Sequence, residues 1–252
     1  MTREPLSAVV TTFNNAATLE RCLTSIAFAD DLLILDSGST DATLDIARRF
    51  GARVAIEPFR GYSEQKQSAI DRAKYDWVLL LDADEALLES ARAPIENALV
   101  APREAGFRLP RREQMFWTFQ HPWSRINKHL RLFDRRRGRM SATPVHAAPY
   151  VDGAVRTLRD AVLLHFGEPD IHTKVQKINA YSTGLVVDKL SRRTSFVAVR
   201  MVFYPPLFFL RQYVLKRYFL NGWAGFISAA SGAFYVFLKY AKVCEARRRR
   251  AR

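Results

Sequence analysis

The sequence has few cysteines and lacks the phosphate-binding signatures of the common nucleotide-binding folds. Its 252 residues contain two cysteines, Cys22 and Cys244, near opposite ends, which predicts a reducing compartment without disulfide bonds. There is no Gly-x-Gly-x-x-Gly segment after the first apolar run and no Gly-Lys-Ser/Thr loop, so a dehydrogenase and a P-loop ATPase are both disfavoured. Residues 1–5 lead directly into a strand-like segment, which predicts no secretory signal.

Acidic residues are scarce in the second part of the chain. Residues 1–100 contain 10 Lys/Arg and 16 Asp/Glu, whereas residues 101–252 contain 29 Lys/Arg and 9 Asp/Glu. The net charge of +14 therefore combines an acidic front with a strongly basic rear. This asymmetry predicts metal and nucleotide chemistry in the front and an anionic partner for the rear.

The five apolar residues Trp77–Leu81 end abruptly at three acids, Asp82, Asp84 and Glu85. The run is too short for an independent helix and fits a central parallel strand that is covered on both faces. Ligands of open α/β sheets gather beyond the carboxyl ends of such strands, and Mg²⁺ binds one or two carboxylates together with substrate phosphates. From this stretch alone, a solvated acidic loop is the alternative.

Strand-like and helix-like segments alternate through the first hundred residues. The predicted strands are Leu6–Thr12, Leu32–Leu35, Arg53–Glu57 and Trp77–Leu81. Helical spacing follows Asn14-Asn15, the Asp36–Asp41 turn and Ser63. Repeated units of this kind imply parallel strands and right-handed crossovers. The predicted fold class is therefore α/β, with a Rossmann-like domain and a mostly parallel sheet.

Polar motifs stand at the ends of three of these strands. They are Thr11-Thr12-Phe13-Asn14-Asn15, Asp36-Ser37-Gly38-Ser39-Thr40-Asp41 and Asp82-Ala83-Asp84-Glu85. In this order and spacing they resemble a family 2 glycosyltransferase of the GT-A fold. The resemblance implies that the first two motifs hold the base and ribose of a nucleotide sugar, with Asp36 accepting a hydrogen bond from the uracil imide. The residues implied in this pocket are Thr12, Asn14, Asp36, Ser37 and Gly38.

The same resemblance implies a diphosphate and metal site. Asp82 would approach the ribose, and Asp84 would bind a divalent cation, Mg²⁺ or Mn²⁺, on the diphosphate. Lys66 is implied in nucleotide-sugar binding, because Gly61 and Gln65-Lys66-Gln67 resemble the family's Gly-x-x-x-x-Lys-Asn segment, with Gln67 in place of Asn. His165, after an apolar run, is expected to contact the metal or the diphosphate.

Motifs beyond residue 100 narrow the resemblance to the bacterial β-glucosyltransferases of lipopolysaccharide inner-core assembly. They include Gly106–Arg112, Arg131-Leu132-Phe133, Val145-His146, Leu164-His165 and Lys177–Ser182. The resemblance implies a UDP-sugar donor, with glucose as the sugar, inverting transfer and a lipid-linked saccharide acceptor. Arg131 would face the donor diphosphate or an acidic acceptor.

Two other functions are compatible with parts of the sequence. A polyprenyl-phosphate glycosyltransferase would have the same donor half, so it is the alternative among enzymes. A basic nucleic-acid-binding protein is a distant alternative, because the aromatic residues lie in continuous apolar runs and no nucleic-acid-reading motif occurs. We therefore expect no nucleic-acid partner.

The general base of an inverting transfer cannot be assigned by likeness. The group has Val-His-Glu where this chain has Val145-His146-Ala147, and it has an acid near the position of Asn127-Lys128-His129. The catalytic candidates that remain are His146, Asp152 and Glu85. Glu85 also fits a supporting role beside Asp84.

The rear third of the chain is predicted to be helical. Helical spacing covers Asp170–Leu190, and the apolar segment Phe196–Leu210 is expected to break at Pro205-Pro206. Tyr218–Leu238 contains no charged residue, but its glycines, serines and asparagine disfavour a membrane span. Aromatic residues flanked by Lys and Arg are typical of a helix in the lipid headgroup layer.

These patterns divide the chain into a glycosyltransferase domain, residues 1–168, and a helical, basic, membrane-associating region, residues 169–252. The first would comprise a nucleotide-sugar half, 1–100, and an acceptor half, 101–168. Because Arg247–Arg252 form a basic tail, the expected partner is an anionic membrane surface. The predicted location is peripheral (monotopic), on the cytoplasmic face of the inner membrane. A packed helical subdomain with a basic tail is the alternative.

Overall fold

Strands and helices alternate along residues 6–82, as the sequence pattern predicts. The computed structural model describes residues 2–141, 148–191 and 195–250. Unit 1 combines Met1–Arg111 with Asn127–Phe166, and unit 2 combines Arg112–Ile126 with Gly167–Arg252. The first elements are β1 (Leu6–Thr12), α1 (Ala16–Ile26), β2 (Asp31–Asp36), α2 (Thr43–Arg49), β3 (Arg53–Ile56), α3 (Tyr62–Asp71) and β4 (Trp77–Asp82).

Parallel and antiparallel strands share the sheet of unit 1. Strands β3, β2, β1 and β4 are parallel neighbours in that order, so the predicted Rossmann-like half is confirmed. The elements that follow are β5 (Glu85–Leu87), α4 (Arg92–Ala98), β6 (Gly106–Met115), β7 (Thr118–Phe119), β8 (Asn127–Asp134), β9 (Gly138–Met140), β10 (Pro149–Val151), β11 (Val155–Thr157) and β12 (Leu163–His165). Strand β8 pairs antiparallel with both β4 and β6.

Side chains of β4 alternate between two apolar clusters. Trp77, Leu79 and Leu81 belong to the cluster that contains residues of α1. Val78 and Leu80 belong to the cluster that contains residues of α3. All five are buried. Strand β4 is therefore covered on both faces, which confirms the prediction made from its uninterrupted apolar run.

Asp31, at the start of β2, joins several elements of unit 1. Its buried carboxylate accepts hydrogen bonds from Ser7 Oγ at 2.8 Å and from Arg53 Nε and Nη2 at 2.7 and 2.8 Å. The backbone N–H of Lys74 donates to it at 3.1 Å. Because Ser7 lies in β1 and Arg53 in β3, the side chain of Asp31 connects three neighbouring strands by hydrogen bonds. Burial opposes its ionisation, but the hydrogen bonds from Arg53 and Ser7 prevail and lower the pKa of Asp31 below 3.8.

Three helices form most of unit 2. They are α5 (Ile171–Ser191), α6 (Val197–Leu210) and α7 (Gly222–Arg250). The ammonium group of Lys242 in α7 contacts the side chains of Asn179, Ser182 and Thr183 in α5 at 2.7–2.8 Å. Val197 of α6 packs in one cluster with side chains of α7. Among the described residues, no helix has both the length and the apolar character that crossing a membrane requires.

The predicted break at Pro205-Pro206 is wrong. Both prolines lie inside α6, and the helical path continues as a π-helical turn over Arg211–Leu215. A proline ring fixes φ near the helical value, and its cost comes from the missing N–H and from crowding of the preceding turn. The ring of Phe208, two residues after Pro206, lies against Gly232 of α7. A Cβ atom added at Gly232 would be 2.7 Å from Cε1 of this ring. Close packing of this kind stabilises α6 despite its prolines.

Replacing Asp31 should destabilise the sheet of unit 1 in a pH-dependent way. We expect Asp31→Ala to lower the free energy of unfolding at pH 7 by about 1–3 kcal/mol, because buried donors lose their acceptor. The folded-state pKa of Asp31 is depressed, so its contribution is present above pH 3.8 and is lost as the pH falls through that lower pKa. Urea denaturation at several pH values measures the difference.

Asp45→Ala is the matched control, since the Asp45 side chain is 77% exposed in α2 and pairs with Arg48. An exposed pair of this kind contributes about 0–1 kcal/mol. Equal urea midpoints for the Asp31 and Asp45 variants would contradict the role assigned to Asp31.

Candidate active site

The carboxyl ends of β1, β2 and β4 lie side by side. In the parallel ladders Thr12 is opposite Asp36, and Thr11 is opposite Asp82. The polar motifs that follow these strands therefore meet at one edge of the sheet. They border a cavity of about 400 Å³, here called the strand-end cavity. Its lining residues are Thr11, Thr12, Phe13, Asn15, Ser37, Phe59, Tyr62, Gln65, Lys66, Asp82, Ala83, Asp84 and His165.

Some of the predicted site residues line the strand-end cavity and others do not. Those that line it are Thr12, Ser37, Lys66, Asp82, Asp84 and His165. Sequence reasoning missed three aromatic side chains at this cavity, Phe13, Phe59 and Tyr62, each more than half exposed. Their position in the sequence could have indicated them, because aromatic residues there lie close to polar motifs at strand ends. An exposed aromatic ring at such a position is seldom required for folding.

Asp36 shapes the turn that follows β2. Its side chain is buried, and Oδ1 accepts hydrogen bonds from the backbone N–H of Gly38 at 2.8 Å and of Ser39 at 2.7 Å. The hydroxyl of Ser39 donates to Oδ2. Gly38 has φ +96°, a conformation that side-chain-bearing residues rarely adopt. Asp36 and Gly38 thus determine the path of the turn. Ser37, between them, lines the cavity.

Asn14 connects the loop after β1 to the loop after β2. Its Oδ1 accepts from the backbone N–H of Thr40 at 2.9 Å, and its own backbone N–H donates to Ser39 Oγ at 2.8 Å. The residue has φ 52°, in the left-handed region that asparagine tolerates better than most residues. The side chain of Asn14 is thus engaged with the loop after β2. Its neighbour Asn15 is the asparagine that lines the cavity.

Asp82 is held between two cations. Its Oδ1 is 2.5 Å from Lys66 Nζ, and its Oδ2 accepts from Arg131 Nη2 at 3.1 Å. Thr11 Oγ1 lies 3.4 Å from Oδ1. Burial alone would raise the pKa of Asp82, but the charges of Lys66 and Arg131 outweigh it and lower that pKa well below the ordinary value. The carboxylate is therefore ionised throughout the physiological range.

Glu85 forms the buried part of the same network. Its Oε1 accepts from Arg131 Nη2 at 2.6 Å and from Arg111 Nη1 at 2.9 Å, and its Oε2 accepts from the backbone N–H of Asp82 at 3.1 Å. Glu85 has no exposed surface. Burial disfavours the charge on Arg131, but Glu85 and Asp82 prevail and raise the pKa of its guanidinium. Together with Lys66, the side chains of Asp82, Glu85, Arg111 and Arg131 thus form one connected network of charges, of which Glu85 and Arg131 are buried.

Asp84 and His165 face each other at the strand-end cavity. The distance from His165 Nε2 to Asp84 Oδ2 is 3.3 Å, and the side chains are 25% and 33% exposed. Antiparallel pairing of β12 with β5 sets this arrangement, because His165 is opposite Glu85 and the N–H of Phe166 donates to the carbonyl of Asp84. No group of three His, Cys, Asp or Glu suited to a metal occurs within the described residues. Ligands from a substrate would have to complete a metal site here.

A second cavity, of about 460 Å³, shares Lys66 and Asp82 with the strand-end cavity. We call it the basic cavity. Its lining residues are Lys66, Asp82, Arg108, Arg111, Lys128, His129, Leu130, Arg131, Ala148, Pro149, Tyr150, Val151 and Val155. Arg131, which was expected to face the diphosphate or an acidic acceptor, lies on this second cavity.

The three candidates for a general base differ in position. Glu85 is buried and both of its oxygens accept hydrogen bonds, which fits its alternative role of supporting the site. Asp152 is exposed between β10 and β11, and it lines neither cavity. His146 lies outside the described residues.

Sequence comparison identifies the family. The family described as Glycosyl transferase family 2 matches residues 7–157, which extend from β1 to β11. The chain belongs to glycosyl transferase family 2. The protein is therefore a glycosyltransferase. The strand-end cavity is its candidate active site.

Relatives match nearly the whole transferase. The lipopolysaccharide core biosynthesis glycosyltransferase LpsC of Rhizobium meliloti (strain 1021) is 34% identical over 259 residues, covering 98% of this chain and 95% of the relative. An uncharacterized glycosyltransferase of Rickettsia bellii (strain RML369-C) is 29% identical over 255 residues, covering 95% of this chain and 86% of the relative.

A solved structure has the same fold. The mannosyltransferase PcManGT from Pyrobaculum calidifontis, in complex with GDP-Man and Mn²⁺, aligns with a TM-score of 0.54 and 17% identity. The alignment covers 96% of this chain and 87% of that one. At this identity the likeness establishes a shared α/β architecture and does not identify a substrate.

Proposed function

We propose that this transferase moves glucose from UDP-glucose to a lipid-linked saccharide, such as the lipopolysaccharide inner core, with inversion at the anomeric carbon. The name of the Rhizobium meliloti relative, which matches 98% of this chain, supports the acceptor class. The observation that carries the proposal is the strand-end cavity, where Lys66, Asp82, Asp84 and His165 stand together next to the polar loops.

The loops after β1 and β2 are the proposed nucleoside site. Thr12 and Ser37 line the cavity there, and Asn14, Asp36 and Gly38 hold the two loops in shape. Asp36 is the proposed acceptor for the uracil imide. An ionised carboxylate has about four acceptor positions, and the turn occupies three of those of Asp36. The turn therefore leaves about one acceptor position of Asp36 unused, although the side chain has no exposed surface and does not line the cavity.

Asp84 and His165 are the proposed ligands of a divalent cation, Mg²⁺ or Mn²⁺. A carboxylate and an imidazole that face one partly exposed space suit such a cation, and diphosphate oxygens would complete its coordination. When bound, the cation would stabilise the negative charge of the departing UDP. Lys66 and Arg131 supply fixed positive charge next to Asp82, whose proposed contact is the ribose.

His146 is the proposed general base. In an inverting transfer the acceptor oxygen bonds to the anomeric carbon as the bond to UDP breaks, and a base takes the hydroxyl proton. Ser141 and Ala148 flank the segment that contains His146, and the N–H of Ser141 donates to the carbonyl of Ala148 at 3.0 Å. Ala148, which follows this segment, lines the basic cavity.

Hydrolysis of a panel of UDP- and GDP-sugars with Mn²⁺ or Mg²⁺ tests the donor and the metal. We expect UDP-glucose to be hydrolysed fastest and excess EDTA to stop the reaction. Asp84→Asn should lower kcat roughly 100-fold or more, because charge on the leaving diphosphate loses its stabilisation. Circular dichroism of the variant checks that its fold is retained.

Asp160→Asn is the control for this experiment, because Asp160 is exposed and lines neither cavity. Full activity of the Asp84 variant, or full activity in EDTA, would remove the metal from the proposal. Faster hydrolysis of a GDP-sugar would overturn the assignment of the nucleotide.

Replacing His146 should affect transfer and leave donor binding intact. We expect His146→Gln to lower kcat for transfer by about 10²–10⁴, the usual contribution of a general base. The donor KM should stay near that of the parent, since the loops that hold the nucleotide are unchanged. His172→Gln, on an exposed position of α5, is the control. Unaltered transfer by His146→Gln would exclude this base.

Unit 2 exposes apolar and cationic residues together. Trp123 and Trp223 are each 75% exposed, and Leu215 is 66% exposed. Arg125 and Arg217 border one small cavity with Trp123 and Leu215. Indole rings and leucines beside arginines suit the headgroup layer of an anionic membrane. We therefore extend the proposal to a peripheral, monotopic enzyme on the cytoplasmic face of the inner membrane.

Vesicle sedimentation tests this surface. We expect the protein to pellet with vesicles that contain phosphatidylglycerol and to be partly released by high salt, which screens the arginines. Trp123→Ser combined with Leu215→Ser should weaken the binding, because apolar contact with the lipid is lost. Ile56→Ser combined with Val100→Ser, at exposed apolar positions of unit 1, is the control. If the parent ignores vesicles of every charge, membrane binding is excluded.

A further inference from the structure

The basic cavity has more positive charge than its carboxylates balance. The five cationic side chains that line it are Lys66, Arg108, Arg111, Lys128 and Arg131. Asp82 is the carboxylate in its lining, and the buried Glu85 accepts hydrogen bonds from Arg111 and Arg131. Among the described residues that line this cavity, five cationic side chains thus stand beside one carboxylate.

Arg108 and Lys128 account for much of this excess. In the antiparallel ladder of β6 and β8, Arg108 is opposite Leu130, and Lys128 is opposite Pro110, so the two cations lie close on adjacent strands. Both residues are exposed at the cavity. Within the described part of the chain, neither side chain has an acidic partner. Two exposed cations on adjacent strands can contact the same anion together.

We propose that the basic cavity binds a phosphate monoester carried by the acceptor saccharide, an inference that rests on the proposed function. A phosphate monoester supplies nearly two negative charges and three acceptor oxygens, and guanidinium groups bind such oxygens in bidentate fashion. A carboxylate supplies one charge and two oxygens, so it would match less of the positive charge in this lining. The chemistry of the lining therefore favours phosphate.

The position of the cavity explains how a bound phosphate would help the reaction. Lys66 and Asp82 belong to both cavities, so an acceptor held in the basic cavity lies next to the donor. Tyr150, 43% exposed, and the apolar side chains of Val151 and Val155 line the same cavity. They offer a surface for the sugar ring that carries the phosphate. Phosphate binding would thus position an acceptor hydroxyl beside the strand-end cavity.

Calorimetric titration of the full chain with mannose 6-phosphate tests the inference. Saturating UDP and Mn²⁺ are present in the main titration, so that the phosphate cannot occupy the proposed diphosphate site, and a parallel titration omits UDP. We expect mannose 6-phosphate to bind and mannose to show no binding. Arg108→Gln combined with Lys128→Gln should weaken the affinity roughly tenfold or more, because charge-assisted hydrogen bonds are lost. Lys74→Gln combined with Arg103→Gln, at exposed positions outside the cavity, should retain the parent affinity.

Three results would overturn the inference. Binding of mannose 6-phosphate only when UDP is omitted would place the phosphate in the strand-end cavity. Equal affinity of the parent and the Arg108/Lys128 double variant would exclude these side chains. Tighter binding of farnesyl phosphate than of mannose 6-phosphate would identify a lipid phosphate instead of a saccharide phosphate.

A separate titration with UDP distinguishes this inference from the proposed function. A chain that binds UDP but no sugar phosphate would refute the phosphate site alone. A folded chain that binds neither ligand would refute both.

Discussion

The ion pairs at the end of β4 are the constraint on which the site depends. Asp82 and Glu85 are three residues apart, and both accept hydrogen bonds from the single guanidinium of Arg131. Two carboxylates in so small a buried space would repel each other without that cation. The same acids contribute, after burial, to raising the pKa of the buried thiol of Cys22. Each charge of the site therefore depends on the presence of the others, and the fold has to bring all of them together.

This network also connects the two cavities. Lys66, from α3, and Asp82, from β4, form a pair that borders both of them. A transferase must bring two substrates together while keeping each in its own environment. In the proposed function, this ion pair would stand between a donor in the strand-end cavity and an acceptor in the basic cavity. Charges that the fold already holds in position need little reorganisation during a reaction.

Much of the fold was predictable because local patterns report burial directly. Unbroken apolar runs predicted the parallel strands, as the ladders of β1, β2 and β4 confirm. The polar residues after these strands predicted a functional edge, and the ladders bring them together at one edge of the sheet. The prediction failed at Pro205-Pro206, where packing within unit 2 overrides the local preference. Propensity measures what a segment favours alone, whereas tertiary contacts decide what it adopts.

The sequence by itself determined the family, the strand ends and the set of polar residues available there. Tertiary structure decided which of them meet: Arg131 reaches Asp82 across 49 residues of chain, and His165 reaches Asp84 through the pairing of β12 with β5. It also decided that Asp36 is buried in its own turn. The physical reason is register, because a shift of one residue between distant strands moves every side chain to the other face. Periodicity along the chain reveals which side chains share one face of a strand. Only the pairing of strands specifies which side chains of another strand lie next to them.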